Sequence, residues 1–188
     1  ARAGGLVGGG VMNSTISGSY SDSDITGQGS TGVNTSVGGL VGQAVGGLAI
    51  DNSYYSNNNS STKGLRTLSV NGSNRLGGLV GADDRLALPW ISGVSIRNSY
   101  AEVGYIQYPG SMTGGGLVGK ADSETRVVGS FWRTIFSPDA TGNGLGTVDA
   151  LSGFKTAAQL RQLSTFTDAG WDIDDLGGTG KTWRIYDG

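Results

Sequence analysis

The stretch GGLVG spans residues 4–8 and returns at residues 38–42, 77–81 and 115–119. The first glycines of successive copies are 34, 39 and 38 residues apart. Self-similarity at a period of about 20 to 50 residues is typical of proteins built from stacked structural repeats. The sequence therefore predicts four similar units, which begin near residues 4, 38, 77 and 115.

A second motif recurs inside each unit. It reads ISGSY at 16–20, IDNSY at 50–54, IRNSY at 96–100 and VVGSF at 127–131. Its first position is β-branched, its third is Gly or Asn and its fifth is aromatic, and this alternation predicts a strand with the three positions on one face. We expect a weaker third strand five residues beyond the aromatic, at Ile25, Tyr105 and Phe136, whereas Asn59 breaks the pattern in unit two.

Three short strands per unit predict an all-β solenoid, because one unit cannot bury its apolar face without a neighbour. Equivalent strands of neighbouring units would pair in parallel, about 4.8 Å apart. Two interior ladders are expected, one of leucine and one of aromatic side chains: Leu6, Leu40, Leu79 and Leu117, and Tyr20, Tyr54, Tyr100 and Phe131. Glycines would form the corners, both by accepting positive φ angles and by avoiding crowding between units.

Two features of the repeat leave alternatives open. Each unit could form one coil or two, and the differing sequences of the two motifs favour one. Asn52 and Asn98 suit either a corner or an interior ladder of stacked amides. The residues between the third strand and the next GGLVG vary in length and are predicted to form side loops. Unit three also carries an insertion around DDRLALPW at 83–90.

The last third of the chain departs from the repeat pattern. We assign residues 1–131 to the repeats and residues 132–188 to the solenoid end and its cap, since a solenoid end exposes unpaired strand edges. One short helix is predicted near residues 156–165, with Thr156 as N-cap and Gln159 completing a capping box.

Composition excludes several functional classes. The chain has 36 Gly, no His, no Cys and a net charge of −2. Without a basic run there is no reason to expect a nucleic-acid partner, and no apolar run approaches the roughly 18 residues of a membrane span. The absence of His and Cys removes Ser-His-Asp and Cys-His catalysis and the usual zinc sites. We therefore expect no enzymatic activity, no cofactor and no metal.

Acidic residues supply the remaining candidates for chemistry. Asp22, Asp24 and Asp51 could form the carboxylate pair that glycoside hydrolysis requires, although solvated turns are the simpler interpretation. DIDD at 172–175 has a faint likeness to a calcium loop, but Trp183 stands where such a loop needs a bidentate Glu. GGTGKT at 177–182 is interpreted as a Gly-rich turn, since Asp175 replaces the first Gly of a phosphate-binding loop.

Aromatic residues in loops are the better candidates for function. Trp90 lies in the insertion of unit three, and Tyr105 and Tyr108 lead into the final loop of that unit. Aromatic side chains on a loop could stack on sugars or anchor a protein partner. The competing interpretation is that the insertion folds over and packs on the coil.

The chain resembles a known family over nearly its whole length. GGLVG followed by IxNSY is similar to the GLUG repeat of very large bacterial exoproteins, and FKTAAQLRQLSTFTDAGWDI at 154–173 with WRIYDG at 183–188 is similar to the segment that closes such arrays. The family includes filamentous-haemagglutinin-like proteins exported by two-partner secretion. The resemblance implies a right-handed parallel β-helix of about four coils on, or released from, a Gram-negative cell, and it carries no catalytic residues.

These observations predict a non-enzymatic segment of a cell-surface or secreted adhesin, acting as a stalk or as a binding surface. Expected partners are a host or matrix glycan or protein, or further copies joined end to end or laterally, without nucleic acid or membrane insertion. A carbohydrate-active enzyme fragment and a purely structural spacer are the alternatives. We expect the chain to be part of a longer protein.

Overall fold

The computed structural model describes residues 1–57, 64–68, 72–86, 88, 90–135, 137–176 and 180–185. Unit one contains β1 (Arg2–Gly4), β2 (Thr15–Ser17), β3 (Tyr20–Ser21) and β4 (Ile25–Gly27). Unit two contains β5 (Thr35–Gly38), β6 (Val41–Ala44), β7 (Ala49–Asp51), β8 (Tyr54–Asn57) and β9 (Leu65–Thr67). Unit three contains β10 (Asn74–Gly77), β11 (Val80–Asp83), β12 (Ser95–Arg97), β13 (Tyr100–Val103) and β14 (Ile106–Gln107). Unit four contains β15 (Met112–Gly115), β16 (Val118–Lys120), β17 (Arg126–Val128) and β18 (Phe131–Thr134).

The remaining elements come after unit four. They are β19 (Thr147–Val148), β20 (Gly153–Phe154), a 3₁₀ turn (Gln159–Arg161), α1 (Leu163–Thr167), β21 (Ile173–Asp174) and β22 (Trp183–Arg184). Strand pairing therefore continues beyond residue 131, because β19 pairs with β17 and β20 pairs with β18.

Five parallel sheets each take at most one strand from a repeat unit. Sheet A contains β1, β5, β10 and β15, and sheet B contains β6, β11 and β16. Sheet C contains β2, β7, β12, β17 and β19, sheet D contains β3, β8, β13, β18 and β20, and sheet E contains β4, β9 and β14. In sheet A the first glycines of GGLVG pair in register across all four units. Direct pairing of consecutive units means that each unit forms one layer, and the all-β prediction is confirmed.

The leucines of GGLVG stack from layer to layer. The backbone N–H groups of Leu6, Leu40 and Leu79 donate to the carbonyl oxygens of Leu40, Leu79 and Leu117, at 3.0, 3.0 and 2.9 Å. Leu40, Leu79 and Leu117 are fully buried, whereas Leu6, in the first layer, is 44% exposed. The predicted interior ladder is therefore confirmed for three leucines, and Leu6 continues it at the end of the stack.

The glycines of GGLVG are required by close packing between layers. A Cβ at Gly78 would collide with the carbonyl oxygen of Gly116 and with the methyl group of Ala101. The second glycines of units two and four face Tyr55 and Trp132 in the same way. No glycine of the four copies, all of which the structure describes, has a positive φ. The crowding argument is confirmed, and the positive-φ argument is wrong for this motif.

Replacing Gly78 with Ala tests the close approach. The added methyl group must displace backbone of the next layer, so we expect the free energy of unfolding to fall by about 3 kcal/mol. Urea denaturation would measure the change. Gly153→Ala is the matched control, because only the Lys155 ammonium lies near its Cβ position, at 3.9 Å. Equal stabilities for the two variants would contradict the packing explanation.

The third position of the second motif bends the chain between sheets C and D. Asn52 and Asn98 have φ angles of 48° and 44°, and Gly18 and Gly129 have 56° and 52°. Only Gly, Asn and Asp enter this left-handed region at low cost. The corner interpretation of the two asparagines is confirmed, and the predicted single alternating strand is in fact two strands separated by this bend.

The bend reverses the side-chain alternation. Ile50 and Ile96 point into the core, but Tyr54 and Tyr100 lie on the outer face of sheet D and are half-buried. The inner positions belong to the next residues of the same strands: Tyr55, Ala101 and Trp132. The prediction of an interior aromatic ladder is therefore wrong, because a residue in the left-handed region removes the period of two on which it relied.

Serine at the fourth position of the motif forms a hydroxyl ladder. The backbone N–H of Ser53 donates to Oγ of Ser99 at 3.1 Å, and that of Ser99 donates to Oγ of Ser130 at 3.2 Å. Ser99 Oγ in turn donates to the carbonyl oxygen of Arg97 at 2.7 Å. Since these serines are fully buried, the ladder satisfies polar groups that would otherwise be costly.

Substitution at Asn98 tests the corner. Ala pays a steric cost in the left-handed region that Gly does not, so Asn98→Ala should be less stable than Asn98→Gly by about 1 kcal/mol. Thermal or urea unfolding of both variants measures the difference. A Gly variant that is the less stable of the two would contradict the assignment.

The predicted position of the third strand is correct in unit one, at Ile25. In unit three the strand position lies one residue later than predicted, and in unit two it lies several residues later. Ile25, Leu65 and Ile106 occupy equivalent positions in sheet E. Tyr105 therefore precedes the ladder position that Ile106 fills. Unit two keeps its third strand, because its longer loop places Leu65 in register. Phe136 and Asn59 lie outside the described residues.

The predicted helix near 156–165 is wrong in extent. The capping box forms, since Thr156 N donates to Gln159 Oε1 at 2.9 Å and Gln159 N donates to Thr156 Oγ1 at 3.2 Å. The 3₁₀ turn nevertheless ends at Arg161, the following Gln162 is extended (φ −97°, ψ 123°), and α1 begins at Leu163. Leu160 and Leu163 both pack on the aromatic cluster of Phe131, Phe166 and Trp171, so tertiary packing outweighs local propensity here.

Candidate functional site

The outer face of sheet D carries a stack of tyrosine rings. The ring centroids of Tyr20 and Tyr54 are 5.1 Å apart, those of Tyr54 and Tyr100 are 4.9 Å apart, and the planes differ by 9° and 2°. In-register pairing of β3, β8 and β13 produces this arrangement, because equivalent residues then lie directly over one another. The first ring of the stack is open, with Tyr20 59% exposed.

The C-terminal segment lies against this face. Trp171 stacks on Phe131 at 5.6 Å and 13°, and its Nε1 donates to the carbonyl oxygen of Gly129 at 2.5 Å. Trp183 Nε1 donates to Asn52 Oδ1 at 3.3 Å. The sequence predicts that this segment covers the last layer, but it covers the side of the stack, because apolar rings on the outer face of sheet D offer it a surface to bury.

A cleft of about 540 Å³ opens between the tyrosine stack and the C-terminal segment. Its aromatic lining combines rings from both sides, and its rim carries charged groups. The aromatic and charged lining residues include Tyr54, Tyr100, Trp171, Trp183, Glu102, Arg133, Arg161 and Arg184. Trp183 is tilted by 50° to both Tyr54 and Tyr100, at 5.8 and 6.1 Å. The tilt gives the cleft two apolar walls that are not parallel.

The charged groups in the lining are mainly basic. Glu102 and Arg133 lie opposite each other in register on β13 and β18, and their side chains form an ion pair of 2.6 Å. Ser56 Oγ donates to the other oxygen of Glu102 at 3.3 Å. Arg161 and Arg184 add two further guanidinium groups to the lining. The cleft is therefore locally basic although the chain has a net charge of −2.

The tyrosines of the cleft are neutral. Burial raises the pKa of the Tyr100 hydroxyl above its ordinary value, and the neighbouring Tyr54 and Glu102 raise it further. Burial also raises the pKa of Tyr54, with a smaller contribution from Tyr20. Both tyrosines thus stay protonated and keep their hydroxyl donors across the physiological pH range.

The three residues predicted to contact a partner lie apart from this cleft. Trp90 is 75% exposed in the insertion between β11 and β12. The insertion packs on the preceding layer through buried Ile91, which contacts Gly46, and Arg85 anchors it by donating to Asp122 at 2.7 Å. The insertion thus packs on the coil, as one interpretation expected, and it still leaves the Trp90 side chain exposed.

Tyr105 and Tyr108 flank β14 in sheet E, whereas Trp90 lies between β11 of sheet B and β12 of sheet C. The guanidinium group of Arg66 lies over the Tyr105 ring, 5.7 Å from its centroid, and Tyr108 is 41% exposed. The structure does not gather the three predicted residues into one site, and contact with a partner stays a prediction. The sequence analysis misses the residues of the cleft, because a strict alternation along the second motif predicts that its tyrosines point into the core.

Asp83 ties the insertion to unit four from a buried position. One carboxylate oxygen accepts hydrogen bonds from the Val94 N–H and the Thr125 hydroxyl, both at 2.8 Å. The other oxygen is buried without a partner among the described residues. Burial, assisted by Asp122, raises the pKa of Asp83, although its two hydrogen bonds and Arg85 oppose the shift. The carboxylate form of Asp83 is therefore costly in the folded state.

The Asp83→Asn substitution tests this cost. The pKa of Asp83 is higher in the folded than in the unfolded protein. The contribution of Asp83 to the free energy of unfolding is therefore greatest below the unfolded-state pKa of about 3.9, and it is lost as the pH rises through the folded-state pKa. Asn cannot ionise, so the free energy of unfolding of the variant should improve relative to the parent between about pH 4 and pH 7. Urea denaturation of both proteins at the two pH values measures the difference. A relative loss over that interval would contradict the assignment.

Two of the other candidate carboxylates have structural partners. Asp24 accepts a hydrogen bond from Asn57 Nδ2 at 3.1 Å. Asp172 pairs with Lys181 at 2.8 Å, and hydrogen bonds from Lys181 and Thr182 lower the pKa of Asp172 to about 2. Among the described residues no group of three or more His, Cys, Asp or Glu could hold a metal ion. Half of the GGTGKT stretch, residues 177–179, lies outside those residues.

Comparison with known proteins gives one informative match. No protein-family model matches the chain, and no solved structure matches it. A protein of Evansella cellulosilytica named "Putative Gly-rich membrane protein" is 35% identical over 134 residues, which cover 70% of this chain and 14% of that protein. The chain thus spans a small part of the length of this relative. None of the helices in the described part of the chain is long and apolar enough to cross a membrane.

Proposed function

We propose that the chain is a segment of a bacterial surface or secreted adhesin, built as a right-handed parallel β-solenoid with one coil per repeat. In-register parallel pairing of equivalent strands in five sheets supports the solenoid. The right-handed sense is favoured because parallel crossover connections are right-handed in nearly all proteins. Likeness to the GLUG repeats of large exoproteins supports the adhesin role, and the name of the similar membrane protein supports a location at the cell envelope.

The binding function belongs to the cleft beside sheet D, which takes a host or matrix glycan. The observation that carries this proposal is a cleft of about 540 Å³ with aromatic walls and a charged rim. Ligand sites are concave, mostly apolar and fitted with a few polar groups that orient the ligand. A sugar ring has an apolar C–H face and polar edges, so it complements the Trp183 ring and the polar and charged side chains of the lining.

Binding without hydrolysis is the activity that this lining supports. Glycoside hydrolysis requires two carboxyl groups, one of them as acid and the other as base or nucleophile. Glu102 is the one carboxylate among the described lining residues, and Arg133 neutralises it at 2.6 Å. The arrangement therefore favours a non-enzymatic role.

Glycan-array binding by the isolated chain tests the proposal. Trp183→Ala removes one wall of the cleft, and we expect the affinity for a bound glycan to fall at least about fivefold, since a buried aromatic anchor commonly contributes more than about 1 kcal/mol. Trp90→Ala is the control, because this side chain is exposed and lies outside the cleft. Unfolding curves would confirm that both variants remain folded.

Three outcomes would contradict the proposal. If the chain binds no glycan, the alternative function as a structural spacer would be favoured. Loss of binding in Trp90→Ala with retention in Trp183→Ala moves the site to the insertion. Release of shortened oligosaccharides from a bound polysaccharide would identify an enzyme.

A further inference from the structure

We propose that the cleft selects acidic polysaccharides, and that Arg161 binds the carboxylate of a uronic acid unit. The inference rests on the proposed glycan-binding function and adds the chemical class of the glycan. It is carried by one exposed guanidinium group in the lining of an aromatic cleft in which the one carboxylate of the described lining residues is already paired.

The charge of the cleft is unevenly distributed. On the wall formed by sheet D, Glu102 and Arg133 neutralise each other at 2.6 Å. On the wall formed by the C-terminal segment, Arg161 lies in the 3₁₀ turn, is exposed and lines the cleft. Its side chain makes no hydrogen bond or ion pair with the described residues. A cation is therefore available on one side of the aromatic rings.

Guanidinium groups match carboxylates in shape as well as in charge. The planar fork of Arg can donate two parallel hydrogen bonds to one carboxylate, and it stays charged at every pH at which the protein folds. A uronic acid carries its carboxylate at the edge of the sugar ring. With the face of that ring against Trp183, the carboxylate at its edge can meet Arg161, which belongs to the same lining.

The attraction is local. The chain as a whole has a net charge of −2, so its overall field does not draw in polyanions. Selection therefore depends on close contact at the cleft and falls at high salt, since an exposed charge pair is screened within about 10 Å at 0.1 M ionic strength.

Calorimetric titration of the whole chain with polygalacturonate oligosaccharides, and with the same oligosaccharides after reduction of their carboxylates to alcohols, tests the inference. We expect the acidic form to bind about tenfold more tightly than the reduced form, a preference that corresponds to one charge-assisted contact. Arg161→Gln should abolish the preference, so that the acidic form binds no more tightly than the reduced form. Arg126→Gln is the matched control, because Arg126 is an exposed arginine on β17 outside the cleft.

The outcomes separate the inference from the function on which it rests. Equal binding of acidic and reduced oligosaccharides, or a preference that survives in Arg161→Gln, would overturn the inference and leave glycan binding intact. Binding of neither form would overturn both. Tighter binding of a sulfated glycan such as heparin than of polygalacturonate would show selection for sulfate and overturn the assignment to uronic acids.

Discussion

In-register parallel pairing between consecutive repeat units is the constraint on which the structure depends. Each layer supplies the hydrogen-bond partners and the apolar cover of the next, so neither the leucine ladder nor the serine ladder exists in a single unit. The three glycines of GGLVG result from this constraint, because the layers approach too closely there for a Cβ, except at Gly8 in the first copy. The motif is therefore a packing requirement.

The same register builds the candidate site. It places Tyr20, Tyr54 and Tyr100 in one stack and sets Glu102 opposite Arg133 on neighbouring strands. The C-terminal segment then completes the cleft by burying Phe166 and Trp171 against Phe131. Repetition thus supplies one wall of the cleft, and the non-repeated end of the chain supplies the other.

Much of the fold could be predicted from the sequence, because the spacing of GGLVG encodes the layers directly. The direction of the tyrosines could not be derived from alternation, since Asn52 and Asn98 adopt positive φ angles and shift the parity of the strand after them. Gly or Asn at this position is the signal in the sequence that could have indicated the bend. The cleft lies beyond sequence reasoning, because it depends on contacts such as that of Trp183 with Asn52, which are 131 residues apart.

Tyr20 extends the ring stack one layer beyond the part that Trp183 covers. The aromatic surface is consequently a track along the axis of the stack whose length grows with the number of layers. If the cleft binds a polymer as proposed, that polymer would run on over the uncovered ring, so that successive monomers would engage at high effective concentration. Repeat number would then tune the avidity for long chains without any change in the groups that recognise a single unit.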